Sequence, residues 1–195
     1  MRALGVGDMD GLVPWATDLA RSLLSEPCPS RWEHVRGAAS QATLAGKLFT
    51  PVDADLLVAS AVLHDIGYAP SLACTGFHPL DGAVYLEAAG APPRLCALVA
   101  HHSYAYLEAE LRGMTASLAR WTDEMTPVRD ALWWADMTTT PKGQATNVLD
   151  RIEEIQKRYG PDNLVAFFVR QAAPELIAAV ERTEARFRTA SIDVR

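Results

Sequence analysis

Two apolar runs in this chain each stop abruptly at a pair of metal-ligating side chains, and that repetition restricts the fold more than any other feature. Leu56, Leu57, Ala59, Ser60, Ala61 and Leu63 lead into His64-Asp65, and Leu95, Leu98 and Val99 lead into His101-His102. A neutral imidazole beside a carboxylate suits a borderline divalent ion, and the two oxygens of Asp65 allow it to bridge two ions. The other two histidines, His34 and His78, and a later carboxylate, Asp136, fall where they can complete a cluster. Asp136 follows Ala131-Leu132-Trp133-Trp134-Ala135, an unusual surround for a carboxylate. A buried carboxylate needs a partner, which can be a metal, an arginine or a helix cap.

Periodicity is helical almost throughout, with no alternating strand, and proline and glycine punctuate the segments. An all-α fold is therefore expected. The reading is one domain over residues 1–195, with a motif-bearing core at about 14–158 and C-terminal helices within about 146–188 packed on it. The first helix spans about 14–24. Ser30-Arg31-Trp32-Glu33 has capping-box spacing, which starts a helix to about residue 48 with His34 in its first turn. Thr50 and Pro51 open the helix that delivers His64-Asp65. A loop over 67–76 leads to His78, N-cap-like before a Pro79-initiated helix, where capping needs no metal.

Pro92-Pro93 opens the helix that ends in His101-His102. Neighbouring helical residues diverge by about 100°, so both reach one ion only if the helix ends or bends there. His101 is expected to be a ligand, and His102 a further ligand or a substrate-facing group. Glu108, Glu110 and Arg112 read as a solvated face, and Trp133-Trp134 as core. Lys142, in the polar loop 137–143, reads by default as a solvated lysine at the pocket rim. Helices at about 146–159 and 174–188 flank a short segment over 164–170, with Glu153, Glu154, Lys157, Glu181 and Arg182 on exposed faces.

The order His34, His64-Asp65, His78, His101-His102, Asp136 resembles the HD superfamily of metal-dependent phosphohydrolases. Arg31-Trp32-Glu33-His34-Val35 is similar to that family's first-histidine helix, Leu63-His64-Asp65-Ile66-Gly67 to its central motif, and Ala135-Asp136-Met137 to its final ligand. The resemblance covers roughly residues 14–158. It implies hydrolysis of a small phosphoester or phosphoanhydride, such as a nucleotide, by metal-activated water. His34, His64, Asp65 and Asp136 would hold one ion, and Asp65, His78 and His101, with or without His102, a second. Arg31, three residues before His34, would contact phosphate. Fe, Mn, Co, Ni and Zn all suit this nitrogen and oxygen set. The doubled histidine resembles the HD-GYP branch, but Ser103 stands where that branch has Glu and no Gly-Tyr-Pro element follows. Two other readings remain open: the superfamily includes diiron oxygenases with a similar ligand set, and non-catalytic sensors of metal or nucleotide.

Eighteen basic against 24 acidic side chains give a net charge of −6, which argues against a general nucleic-acid or acidic-membrane surface. A small anionic substrate remains compatible, because bound metal makes a pocket locally positive. Cys28, Cys74 and Cys96 are odd in number and widely spaced, which suggests a reduced cytosolic setting. Residues 1–10 lack the basic and apolar regions of an export signal, so a soluble, unexported protein is expected.

Overall fold

The computed structural model describes residues 11–193; the sequence reading of residues 1–10 lies outside them. Among the described residues there is no strand, only an isolated antiparallel bridge between Thr139 and Ala145. The helices are α1 (Leu12–Leu24), α2 (Pro29–Gly46), α3 (Pro51–Leu63), α4 (His78–Ala88), α5 (Pro93–Ala100), α6 (Ala105–Arg112), α7 (Thr115–Leu118), α8 (Pro127–Met137), α9 (Val148–Tyr159) and α10 (Leu164–Thr189). None is long and apolar enough to cross a membrane.

Proline starts many of these helices, because its fixed φ suits the first turn and its missing N–H would be unpaired there anyway. It stands in the first two positions of α2, α3, α4, α5 and α8. Thr50 caps α3 by accepting from the Asp53 N–H at 3.3 Å, as expected, and Thr126 caps α8 in the same way. The expected Ser30 capping box is not formed. Helix α2 starts earlier, at Pro29, with Cys28 at the N-cap; Ser30 Oγ turns to the Pro141 carbonyl, and Glu33 pairs with Arg36. His34 consequently lies in the second turn of α2. The two C-terminal segments are also one helix: α10 continues through Pro174. An interior proline costs about 3 kcal/mol. Here Ala166, Phe168, Val169 and Ala172 before it, and Leu176, Ala179 and Val180 after it, are all buried, so core burial on both sides offsets that loss.

Helix α3 is the hub, with α1, α2, α5 and α8 packed around it. Ala38, Ala42 and Ala45 of α2 are fully buried, and such small side chains permit the close approach to α3. Trp133 and Trp134 are core, as expected; Trp134 meets Phe187 of α10 edge-on at 5.0 Å. Arg182 is exposed, as read from sequence, and its guanidinium also grips buried Asp130 at 2.8 and 2.9 Å and ties α10 to α8.

Two glycines set the spacing on which the site depends. A Cβ on Gly67 would lie 2.0 Å from the His78 carbonyl oxygen, so only glycine lets the turn after Asp65 sit on the start of α4. A Cβ on Gly143, at φ +73°, would lie 2.4 Å from the Glu33 carbonyl oxygen, so glycine here lays the loop after α8 along α2. Gly67→Ala is therefore expected to cost about 1–3 kcal/mol of stability in denaturant or thermal unfolding. Gly82→Ala, whose added methyl group meets nothing nearer than 3.4 Å, should change it little.

Candidate metal centre

The C-terminal ends of α3, α5 and α8, the start of α4 and the second turn of α2 converge on one cluster. His34 Nε2 lies 3.0 Å from Asp136 Oδ1. His78 Nε2 lies 3.2 Å from Asp65 Oδ1 and 3.1 Å from His102 Nε2. His64 Nε2 lies 3.6 Å from Asp65 Oδ1 and 3.7 Å from Asp136 Oδ1. Donor atoms around one ion with bonds of about 2.1 Å stand about 3.0–3.5 Å apart, so the tighter of these separations have the size of a coordination edge. Two overlapping trios, His34/His64/Asp136 and His64/Asp65/His102, each bring their donor atoms within 4.8 Å of one another.

Hydrogen bonding fixes how these imidazoles point. His34 Nδ1 donates to the Thr140 carbonyl (3.1 Å), His64 Nδ1 to Ala61 (2.8 Å) and His102 Nδ1 to Val99 (2.7 Å). A carbonyl only accepts, so each Nδ1 carries the proton and each Nε2 of a neutral ring turns its lone pair inward. These lone pairs face the oxygens of Asp65 and Asp136, acceptor against acceptor. His64 Nε2 is fully buried and has no hydrogen-bond partner among the described residues. An orphaned buried lone pair between two carboxylates is costly alone and is what a divalent cation satisfies. The donor set therefore fits a metal.

The electrostatics agree. Burial acts to raise the Asp65 carboxyl, but His64, Arg31 and His78 outweigh it and hold it well below the usual carboxylate range. Asp136 is held down in the same way by His34, His64 and Arg151. Burial first, then His64 and His78, pushes His102 down to about 3, so its ring is neutral and ligand-competent near neutral pH.

The doubled histidine resolves differently from the sequence expectation. Helix α5 ends at Ala100, and Ser103 (φ +46°) and Tyr104 (φ +61°) are both left-handed, so the chain turns sharply there. His102 faces the cluster. His101 does not: its Nε2 donates to the Trp121 carbonyl at 2.7 Å, and its own carbonyl accepts from Trp133 Nε1. Of the pair it is thus His102, expected as a further ligand or a substrate-facing group, whose ring nitrogen lies with His64 and Asp65. The same turn swings Ser103 Oγ onto Asp136, to which it donates. Left-handed backbone costs about 1–3 kcal/mol per non-glycine residue, and here it aims two side chains at the site.

Arg31 donates to Asp65 Oδ2 at 2.8 Å, and its other terminal nitrogen lies 3.5 Å from the Tyr159 hydroxyl. It orients Asp65 rather than presenting an open fork to phosphate. Tyr68 stacks on His78 with centroids 4.0 Å apart and also carries the Arg31 guanidinium over its ring. A cavity of about 70 Å³ opens beside the cluster, bordered by Arg31, Asp65, His78, His102 and Asp136 on one side. Glu108, Arg151 and Arg158 complete its polar wall, and Ile155, Phe168, Val169 and Leu176 give the apolar part. Lys142 is exposed and lies off this cavity.

Comparison with known families bears on this arrangement directly: a model described as HD domain matches residues 31–162. The chain belongs to the HD domain family. No curated protein and no solved structure matches it. HD domains form a superfamily of metal-dependent phosphohydrolases, and the buried His and Asp groups found here are compatible with a divalent metal.

Sequence reasoning missed several residues of this HD site. Glu108 is buried and paired with Arg112 at 2.8 Å rather than solvated, and the i,i+4 spacing of the two was the available signal. Arg151 is buried in α9, and Ser103 and Tyr68 gave no signal beyond adjacency to the motif histidines. His102→Ala is expected to lower bound metal in elemental analysis, whereas His101→Ala should leave metal content intact and lower the unfolding midpoint. Chelator-stripped protein should regain stability on metal addition, by about 2.7 kcal/mol at a hundred times Kd. In a chain of this size that is about 5–10 °C in a thermal melt.

Proposed function

We propose that this HD domain hydrolyses a small phosphoester or phosphoanhydride with the help of one or two divalent ions. The observation that carries this reading is the buried, unpartnered Nε2 of His64 between Asp65 and Asp136, beside a cavity lined by Arg31, Arg151 and Arg158. His34, His64, Asp65 and Asp136 are assigned to one ion, and Asp65, His78 and His102 to the other. Such ions bring the pKa of water towards neutrality and offset phosphoryl charge.

The chain's own groups prepare the rest. Asp65 directs Oδ1 towards His78, and Oδ2, which accepts from Arg31, lies 3.9 Å from His34 Nε2, so one carboxylate addresses both halves of the cluster. Ser103 holds the outer oxygen of Asp136, leaving Oδ1 towards His34 and His64. The backbone carbonyls behind His34, His64 and His102 keep the inward nitrogens deprotonated as long as the rings are neutral. The guanidinium groups favour an anionic substrate, and the apolar wall excludes water from the side facing α10.

Protein purified without chelator should contain Fe, Mn, Co, Ni or Zn by elemental analysis and hydrolyse at least one member of a panel of nucleotides and other phosphoesters. Asp65→Ala should lose metal and activity together. The fall in kcat should exceed the roughly 10–100-fold typical of losing a group behind the ligands. Normal metal content in a folded Asp65→Ala protein would overturn the ligand assignment. Two irons with oxygen-dependent spectral changes and no hydrolysis would replace phosphohydrolysis with oxygen chemistry.

A further inference from the structure

We propose that Arg151 is the phosphoryl clamp of this site, binding two non-bridging oxygens of the substrate through its Nε–Nη2 edge while Glu154 holds the opposite side of the guanidinium. The phosphoryl identity of the anion rests on the hydrolase reading; the clamp itself rests on the following geometry.

Arg151 is only 3% exposed, yet it lines the cavity that borders Asp65, His78, His102 and Asp136. Its Nη1 donates to Glu154 Oε2 at 2.5 Å. Among the described residues its fully buried Nε has no partner, and none takes Nη2. The open nitrogens are therefore the two that form the planar fork for a carboxylate or phosphate. The other arginines around the core differ. Arg129 shares its orphaned Nε, but both of its terminal nitrogens are in ion pairs with Asp123 and Asp130. Arg31 spends its terminal nitrogens on Asp65 and Tyr159, and Arg112 gives Nε and Nη2 to Glu108.

Desolvating a guanidinium and leaving its bidentate edge empty is unfavourable, and Glu154, itself partly exposed, compensates one side only. An oxyanion in the cavity would supply the missing acceptors. Arg151 also contributes to holding the Asp136 carboxyl down, which places its charge beside the metal cluster. Arg158, two turns along α9 and 3.3 Å from the other oxygen of Glu154, extends the same positive wall. An anion held here would lie between the α9 guanidinium groups and the metal ligands.

The test is titration of inorganic phosphate into metal-loaded full-length protein by calorimetry, for wild type, Arg151→Met and Arg151→Lys, with KM and kcat on the best phosphoester from the screen. Loss of a bidentate charge-assisted contact should weaken phosphate about ten- to a hundredfold in Arg151→Met. Arg151→Lys keeps the charge without the fork and should recover only part of that, with metal content unchanged in both. If Arg151→Met does not fold, Arg151→Lys decides alone, and phosphate affinity and KM equal to wild type in it would overturn the clamp. Equal affinity and KM in folded Arg151→Met would do the same and leave a purely structural role. Arg151-dependent phosphate binding without hydrolysis of any ester would sink the hydrolase reading and keep the clamp. Hydrolysis with no dependence on Arg151 would do the reverse.

Discussion

Everything near the centre of this protein depends on an electrostatic conflict between acceptors. Two buried carboxylates, Asp65 and Asp136, face imidazole nitrogens whose lone pairs are turned inward because backbone carbonyls hold the opposite Nδ1 protons. The side chains cannot relieve this by rotating, since each ring is tied behind and packed in a core at full density. A divalent cation would relieve it and would tie the protein's stability to the same donor set. Evolution of such a site need not specify a metal precisely; it must only keep the acceptors crowded.

That crowding requires tolerances of a few tenths of an ångström, and backbone contacts supply them. Gly67 lets the turn after Asp65 touch the His78 carbonyl, and Gly143 lets the loop carrying Thr140 run against α2 where His34 is rooted. The cluster residues sit at the C-terminal ends of α3, α5 and α8 and within the first turns of α2 and α4, all of them helices that start at proline, with threonine caps on α3 and α8. Local capping chemistry thereby becomes metal geometry.

Much of this was readable in the order of residues. Apolar runs ending in His64-Asp65 and His101-His102, helical periodicity and the unusual setting of Asp136 pointed to an all-α fold and to most of the cluster. The choice between His101 and His102 was not readable, because it turns on left-handed backbone at Ser103 and Tyr104, two residues with no strong preference for that conformation. The Ser30 capping box failed because Pro29 was the better starter one position earlier. Glu108 looked solvated because charge patterns show which residues can pair, whereas burial depends on which helix lies over them.

Helix α10 crosses the far side of the cavity with Val165, Phe168, Val169 and Leu176, all beyond residue 162, where the match to the HD domain ends. The clustered histidines and aspartates and most of the apolar wall opposite them thus come from different parts of the chain. One part follows the family pattern, and the other is held on by Asp130, Trp134 and core contacts that say nothing about chemistry. No cluster residue lies on this last helix, so the stretch of sequence that shapes the wall opposite the donor atoms is separate from the stretches that supply them.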